Sequence, residues 1–284
     1  MSIISRLTSW YYSARHAVRD RPEHSEVKRL KDFDAFIDLF ESSKRIAVLT
    51  GAGVSTLSGI PDFRSSDGLY SKRFGHMSVE ELLDIDFFTS HPDEFYKWAK
   101  GNWYILEQYE PNIIHKTLKR MEDIGKLSEG IFTQNIDSLH QRAGSKKVYE
   151  LHGSLSSGYC MNCHSYHSYN EISEEVNNDV VPTCPQCGGV IKPDIVFYGE
   201  GLDMMTLKRG EFAFQNADLA IVLGSSLIVN PAASLPYISA QYKKHIVIVN
   251  RDKTYLDQWA NLKFTDLKVF FEAFDIYLNK RDVK

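Results

Sequence analysis

Residues 45–59 read RIAVLTGAGVSTLSG: a β-branched run, RIAVLT at 45–50, that breaks into Gly51, Ala52 and Gly53. Short runs of the same character recur at 130–135 (GIFTQN), 148–151 (VYEL), 191–197 (IKPDIVF), 219–224 (LAIVLG) and 245–250 (HIVIVN). They are nearly continuous in apolar character, as strands covered on both faces are. Helical periods lie between several of them: Leu30, Phe33, Phe36, Ile37 and Phe40 within 27–41, then 207–215 and 231–243. Strands alternating with helices predict an α/β protein with a doubly wound, mostly parallel, Rossmann-like sheet. The expected division is an N-terminal amphipathic extension at 1–24, followed by a large domain built from about 25–68, 126–157 and 190–284. An aromatic-rich helical insert (about 69–125) and a metal-binding module (about 158–189) interrupt it, together forming a small domain.

The chain has 284 residues, with 33 Lys+Arg against 37 Asp+Glu (net charge −4), 43% hydrophobic and 25% charged residues. This is a globular composition, which excludes a disordered or collagen-like chain. The longest apolar runs, such as 219–224, fall far short of the roughly 20 residues that span a bilayer, so no membrane span is expected. The acidic balance lacks the basic footprint of a nucleic-acid binder, and no nucleic-acid partner is expected.

All four cysteines lie in one stretch, Cys160, Cys163, Cys184 and Cys187, spaced C-x2-C, a gap of 20 residues, C-x2-C. Each C-x2-C lets two thiolates reach one ion from a tight turn, and two such knuckles complete a zinc tetrahedron. Pro182, Pro185, Gly188 and Gly189 suit the turns. The alternative is two disulfides or unrelated thiols, which a chain with no recognisable secretory signal gives little reason for. Four protein ligands leave zinc no open position, so one structural ion per chain is expected.

In open α/β sheets ligands bind outside the carboxyl ends of the strands, so the residues there are the candidates. The first strand is followed by GAGVSTLSG, a glycine turn and an expected helix start that would expose N–H groups to a phosphate. The strict G-x-G-x-x-G fingerprint fails, because Thr56 holds its third glycine position. Beyond it stand GIPDFR (59–64), TQNID (133–137), His152 with Gly153, GSSL (224–227) and Asn250. A lone histidine is more often structural than catalytic; what favours His152 is its place at a strand end, facing the crevice. These loops point to a nucleotide-like ligand without naming a reaction. No G-x-S-x-G elbow and no H-E-x-x-H occurs, and no cysteine is left over as a nucleophile.

Taken together, GAGVST, GIPDFR, TQNID, HG, the four cysteines, KPDIVFYGE (192–200), GSSL and VN (249–250) resemble the sirtuin family of NAD-dependent protein deacylases, in the family's order over roughly 27–270. The resemblance implies that NAD lies between the two domains. Ala52, Thr56, Phe63 and Arg64 would line its pyrophosphate and nicotinamide-ribose side. Ser225, Ser226, Asn250 and Arg251 would hold the adenosine half, and Gln134, Asn135, Ile136 and Asp137 the nicotinamide pocket. An acyl-lysine peptide would enter as a strand between Val196, Phe197, Gly199 and Glu200 on one side and Val229 and Asn230 on the other. It further implies that His152, with Asn135, is catalytic: a general base on the ribose hydroxyls, with nicotinamide expelled and O-acyl-ADP-ribose formed.

Relatives that prefer malonyl- or succinyl-lysine carry a Tyr-x-x-Arg pair. Here Tyr96 is kept but Ala99 takes the arginine position, so acetyl and other uncharged acyl groups are expected. Ser225 stands where many relatives have threonine and Tyr198 where many have phenylalanine, while 266–268 matches poorly and leaves the adenine contact unassigned. Competing readings are a protein mono-ADP-ribosyltransferase, which does not need the chemistry of His152, and a non-catalytic NAD or ADP-ribose sensor; retention of His152 and Asn135 favours deacylation. Within 1–24, Ile3, Ile4, Leu7, Trp10, Tyr11, Ala14, Ala17 and Val18 form an apolar stripe, and no acid precedes Asp20. It reads as a surface helix contacting the domain, a partner or a second copy, with an organellar presequence as the alternative to a cytoplasmic protein.

Overall fold

The computed structural model describes residues 24–281; the extension at 1–23, with its expected stripe, lies outside them. Eleven strands occur among the described residues: β1 (Ile46–Thr50), β2 (Arg73–Phe74), β3 (Met77–Ser78), β4 (Gly130–Thr133), β5 (Val148–Glu150), β6 (Gly153–Cys160), β7 (Tyr166–Ser168), β8 (Ile191–Ile195), β9 (Leu219–Leu223), β10 (His245–Val249) and β11 (Leu262–Phe264). Six of them form one sheet in the order β11-β10-β9-β1-β4-β5, with every neighbouring pair parallel. Alternate residues face opposite layers, as the pleat requires. Ile46 and Val48 enter the core shared with Phe36, Phe40, Phe270 and Phe274, while Ala47 and Leu49 enter the one shared with Phe214 and Leu235. Helices thus cover both faces, and β1, β9 and β10 are apolar along nearly their whole length for that reason.

The first face is an aromatic stack. Phe36 meets Phe270 at 4.8 Å and Phe274 at 5.0 Å, both edge-to-face, the arrangement ring quadrupoles favour. The helix Ile113–Asp123, which the sequence groups with the insert, sends Ile114, Leu118 and Met121 into this same core.

Two expectations about strands are corrected. The run at 191–197 is not in the large sheet: β8 pairs antiparallel with β6 in a separate three-stranded sheet, β7-β6-β8. A buried antiparallel strand carries the same apolar run as a parallel one, so hydropathy could not separate them. Its partner β6, GSLSSGYC, is glycine- and serine-rich because strand pairing there is very close: a Cβ at Gly158 would lie 2.5 Å from the Lys192 carbonyl oxygen. The sixth place in the large sheet belongs instead to β11, three residues long.

The small sheet, the cysteine knuckles and the short helices between Val79 and Lys100 share a separate core, rich in Phe88, Phe95, Trp98, Trp103 and Tyr104. The chain passes from the large sheet to the small one through Leu151, His152 and Gly153. Gly153 has φ +73, and a Cβ there would collide with the Asp194 carbonyl oxygen, so only glycine makes this turn. The crossover point is therefore also a candidate site.

Candidate active site

The sheet order reverses between β1 and β9, which is where an open α/β sheet leaves a ligand crevice. Gly51 N–H donates to the Leu223 carbonyl and Gly53 N–H to that of Gly224, both at 2.9 Å. A Cβ on Gly51 would come within 2.8 Å of the Gly224 oxygen, and one on Gly53 within 2.8 Å of the Gly224 Cα. The glycines are thus dictated by backbone approach. In place of the expected helix start, two short 3-10 turns follow, Ala52–Val54 and Thr56–Ser58, closed by left-handed Gly59 at φ 94°.

A cleft of about 1220 Å³ opens here, between the large sheet and the small unit. From the β1 side it is lined by Ala52, Thr56, Phe63 and Arg64, and from the ends of β4 and β5 by Gln134, Asn135, Ile136 and His152. Ser225 and Ser226 after β9 and Asn250 and Arg251 after β10 also line it. Val196, Phe197, Gly199 and Glu200 line it too, as do Val229 and Asn230. The unassigned stretch Asp266, Leu267 and Lys268 also reaches the cleft, because β11 ends just before it.

Of the residues expected to contact NAD or peptide, only Asp137 is absent from the lining. It sits behind the wall, with Oδ2 accepting from the Ser55 hydroxyl at 2.6 Å and Oδ1 from the Leu139 N–H at 2.9 Å. The same Ser55 hydroxyl accepts from Asn135 Nδ2 at 3.1 Å. Burial, the larger effect, raises the Asp137 pKa above the ordinary carboxylate value, against these bonds. Ser55 therefore couples the first loop to the second, a link that residue spacing did not reveal. Ser225 makes another: its hydroxyl donates to Gln134 Oε1 at 2.7 Å.

His152 is held by one nitrogen. Nδ1 lies 3.1 Å from the Gln134 carbonyl oxygen, which can only accept, so Nδ1 carries the proton. Nε2 has no partner among the described residues. Burial pulls the imidazole pKa below its ordinary value; the Gln134 carbonyl opposes this and the Arg64 charge adds to it. The result is a neutral ring offering one lone pair at the junction of the two halves of the cleft.

Away from the cleft, the four cysteine Sγ atoms lie within 4.8 Å of one another. Cys160 and Cys187 are 3.4 Å apart, Cys163 and Cys184 3.6 Å. Sulfurs at a Zn–S distance of about 2.3 Å in a tetrahedron would be roughly 3.8 Å apart, so the four thiolates fit zinc. A Cβ on Gly189 would meet the Cys160 sulfur at 2.8 Å, which explains the glycine of the knuckle. None of the four lines the cleft. The group fits a structural ion.

Tyr96 and Ala99 are both buried in the aromatic core, and the Tyr96 hydroxyl donates to the Ile191 carbonyl at 2.5 Å. Neither lines the cleft; Leu83, Trp103 and Ile195 do. Trp103, which the sequence did not single out, adds an apolar ring to the lining that includes His152.

Fold and site together define a Rossmann-like enzyme in which a nucleotide crevice meets a second opening at a neutral imidazole. Comparison with known proteins narrows this. Residues 51–231 match the Sir2 family. The NAD-dependent protein deacetylase of Thermotoga maritima is 45% identical over 229 residues, spanning 81% of this chain and 91% of that protein. The protein of the same name from Clostridium perfringens is 41% identical over 231 residues, 81% and 92% of the two chains. A solved Sir2–p53 peptide–NAD+ complex superposes with TM-score 0.78 at 41% identity, covering 89% of this chain and 99% of that one. Sir2Tm bound to a propionylated peptide gives TM-score 0.77 at 41% identity, with 87% and 98% covered. The chain belongs to the Sir2 family.

Proposed function

We infer that this protein is an NAD-dependent protein-lysine deacetylase that accepts acetyl and other uncharged acyl groups. The observation that carries the reading is the unpartnered Nε2 of His152, set where the nucleotide cleft meets the opposite loops. NAD, when bound, supplies an electrophilic ribose carbon with nicotinamide as its leaving group.

The residues divide that work. The turn at 51–53, with Ala52 as its one small side chain, admits a pyrophosphate close to backbone. Thr56, Phe63 and Arg64 flank the nicotinamide ribose. Gln134, Asn135 and Ile136 receive the nicotinamide end, and Asp137 steadies that loop through Ser55. Ser225, Ser226, Asn250 and Arg251 take the adenosine half. Leu83, Trp103 and Ile195 exclude water around the acyl-lysine stem, while the loops at 196–201 and 228–230 take the peptide backbone between them. His152, its tautomer fixed by Gln134, removes a proton from a ribose hydroxyl through Nε2; a general base of this kind contributes about 10²–10⁴-fold. The reaction consumes one water, transfers the acyl group to ADP-ribose, and frees the lysine and nicotinamide.

The test is substitution at the base. His152→Ala should lose at least about a hundredfold in deacetylation rate while still binding NAD. If ADP-ribose transfer to protein persists at the wild-type level while no deacetylation is seen in either form, the transferase reading replaces this one.

The four-thiolate group supports a reducing, cytoplasmic setting. No described helix is long and apolar enough to cross a membrane. The stripe within 1–20 we assign to a partner or self-contact; an unchanged mass in solution after removing residues 1–24 would contradict self-association.

A further inference from the structure

Lys192 begins the KPDIVFYGE stretch and is nearly the only buried lysine of the described residues, its side chain 5% exposed. Its ammonium has three protons and three acceptors: the Ile195 carbonyl at 2.8 Å, the Pro193 carbonyl at 3.4 Å and Glu200 Oε2 at 2.9 Å. It also lies 4.7 Å over the Phe197 ring. Glu200 Oε2 in turn accepts the Phe197 N–H at 2.8 Å. One ammonium thus ties the start of the 196–201 loop, through Ile195, to its end, through Glu200. The carboxylate counted from sequence among the peptide contacts is turned inward by these bonds. The rest of the loop is anchored as well: Val196 N–H donates to the His152 carbonyl at 2.9 Å, and Tyr198 N–H to that of Leu83 at 2.8 Å.

A buried charge is costly unless paired and fully hydrogen-bonded. Replacing such a pair by apolar residues is often neutral or stabilising, so stability alone gives weak reason for it. What the pair does fix is shape, since it closes a six-residue loop that bears left-handed Gly199 at φ 91°. We propose that Lys192 is a positioning residue for the peptide: with Glu200 it holds the 196–201 loop in the form that accepts the acyl-lysine strand. The inference rests on the deacetylase reading and deepens it. Lys192 touches neither the nucleotide cleft nor the reacting atoms, so its removal should act on peptide and not on NAD.

The test compares the full-length wild type with Lys192→Met, Glu200→Gln and the double variant, by steady-state kinetics with an acetyl-lysine peptide and NAD varied in turn. Binding of a fluorescent acetyl-lysine peptide, which needs no turnover, is measured alongside. Bonds to a charged group of this kind correspond to about ten- to a hundredfold in affinity. Each single change should raise the peptide KM and Kd at least about tenfold, with the NAD KM within about twofold. The double variant should be no worse than the weaker single one, because both remove the same clasp. Glu200→Gln, at an exposed position, serves if Lys192→Met does not fold. Unchanged peptide binding in folded Glu200→Gln would overturn the inference alone, as would peptide and NAD constants rising together. A wild type that neither binds nor deacetylates the peptide would overturn the functional reading, and the inference with it.

Discussion

The bond from His152 Nδ1 to the Gln134 carbonyl decides which nitrogen carries the proton, and burial favours the neutral ring. An ordinary histidine titrates near 6.5, and this one is pulled lower. The base is therefore already deprotonated at neutral pH. Deacetylation should stay level as pH falls from 8 towards 6.5 and decline only below it, with the acid midpoint of the kcat/KM profile under about 6.5. A midpoint above 7 would contradict the assignment. Acyl choice belongs to this scale too. The apolar wall of Leu83, Trp103 and Ile195 has no charge to pair with a carboxylate, and Tyr96 and Ala99 lie buried behind the cleft. Acetyl-lysine peptide should turn over at least about tenfold faster than its succinyl counterpart, a margin of about 1.4 kcal/mol that burying an unpaired carboxylate readily exceeds. Faster succinyl turnover would refute it. Most residues of the cleft could be picked out before the structure, because they end strands and sit in motifs. Ser55, Trp103 and Lys192 could not, since what matters is a partner far away in sequence: Ser55 meets Asp137, and Lys192 meets a loop end whose folding back no local pattern encodes.

Among elements, the short helix Leu139–Arg142 and the longer Ile113–Asp123 meet through two buried histidines. The rings of His115 and His140 are 4.8 Å apart and near T-shaped, and His140 Nε2 lies 3.0 Å from the Thr50 hydroxyl at the end of β1. Burial lowers both pKa values, that of His115 to about 4, with the neighbouring ring adding to the effect on His140. In the unfolded chain both titrate near 6.5. Below that pH the unfolded state binds protons that the fold does not, so stability falls with falling pH. For His115 the loss should run from about pH 6.5 down to about 4, by up to roughly 1.4 kcal/mol per pH unit, with His140 adding to it in the same direction and neither contributing slope above 6.5. Denaturant unfolding at a series of pH values reads this directly; a flat profile from 7 to 5 would contradict it. The cysteine knuckles make a second claim at this scale. A chelator should lower thermal stability and activity together, and added zinc should restore both. Activity lost with the melting temperature unchanged would place the ion in the chemistry instead. The alternation of strands and helices was legible because β1, β9 and β10 are buried on both faces. The small sheet was not, since β6 is chosen for closeness of backbone rather than for hydropathy, and β11 is too short to show a period.

At the scale of the whole molecule, two units of different make-up meet at one cleft. The parallel sheet supplies a glycine-rich turn and a set of buried polar residues at its strand ends. The second unit, built on aromatic packing and four clustered thiolates, supplies the clasped loop and an apolar wall. His152 belongs to the connection between them, so it addresses a ligand from either side. This accounts for a reaction that consumes a nucleotide and a peptide together. The direct measurement is to incubate the protein with an acetyl-lysine peptide, with and without NAD, and follow every product by mass spectrometry. The expected result is loss of the acetyl mass only when NAD is present, with nicotinamide and O-acetyl-ADP-ribose appearing in equal amount. NAD consumed while the peptide keeps its acetyl group would contradict the account.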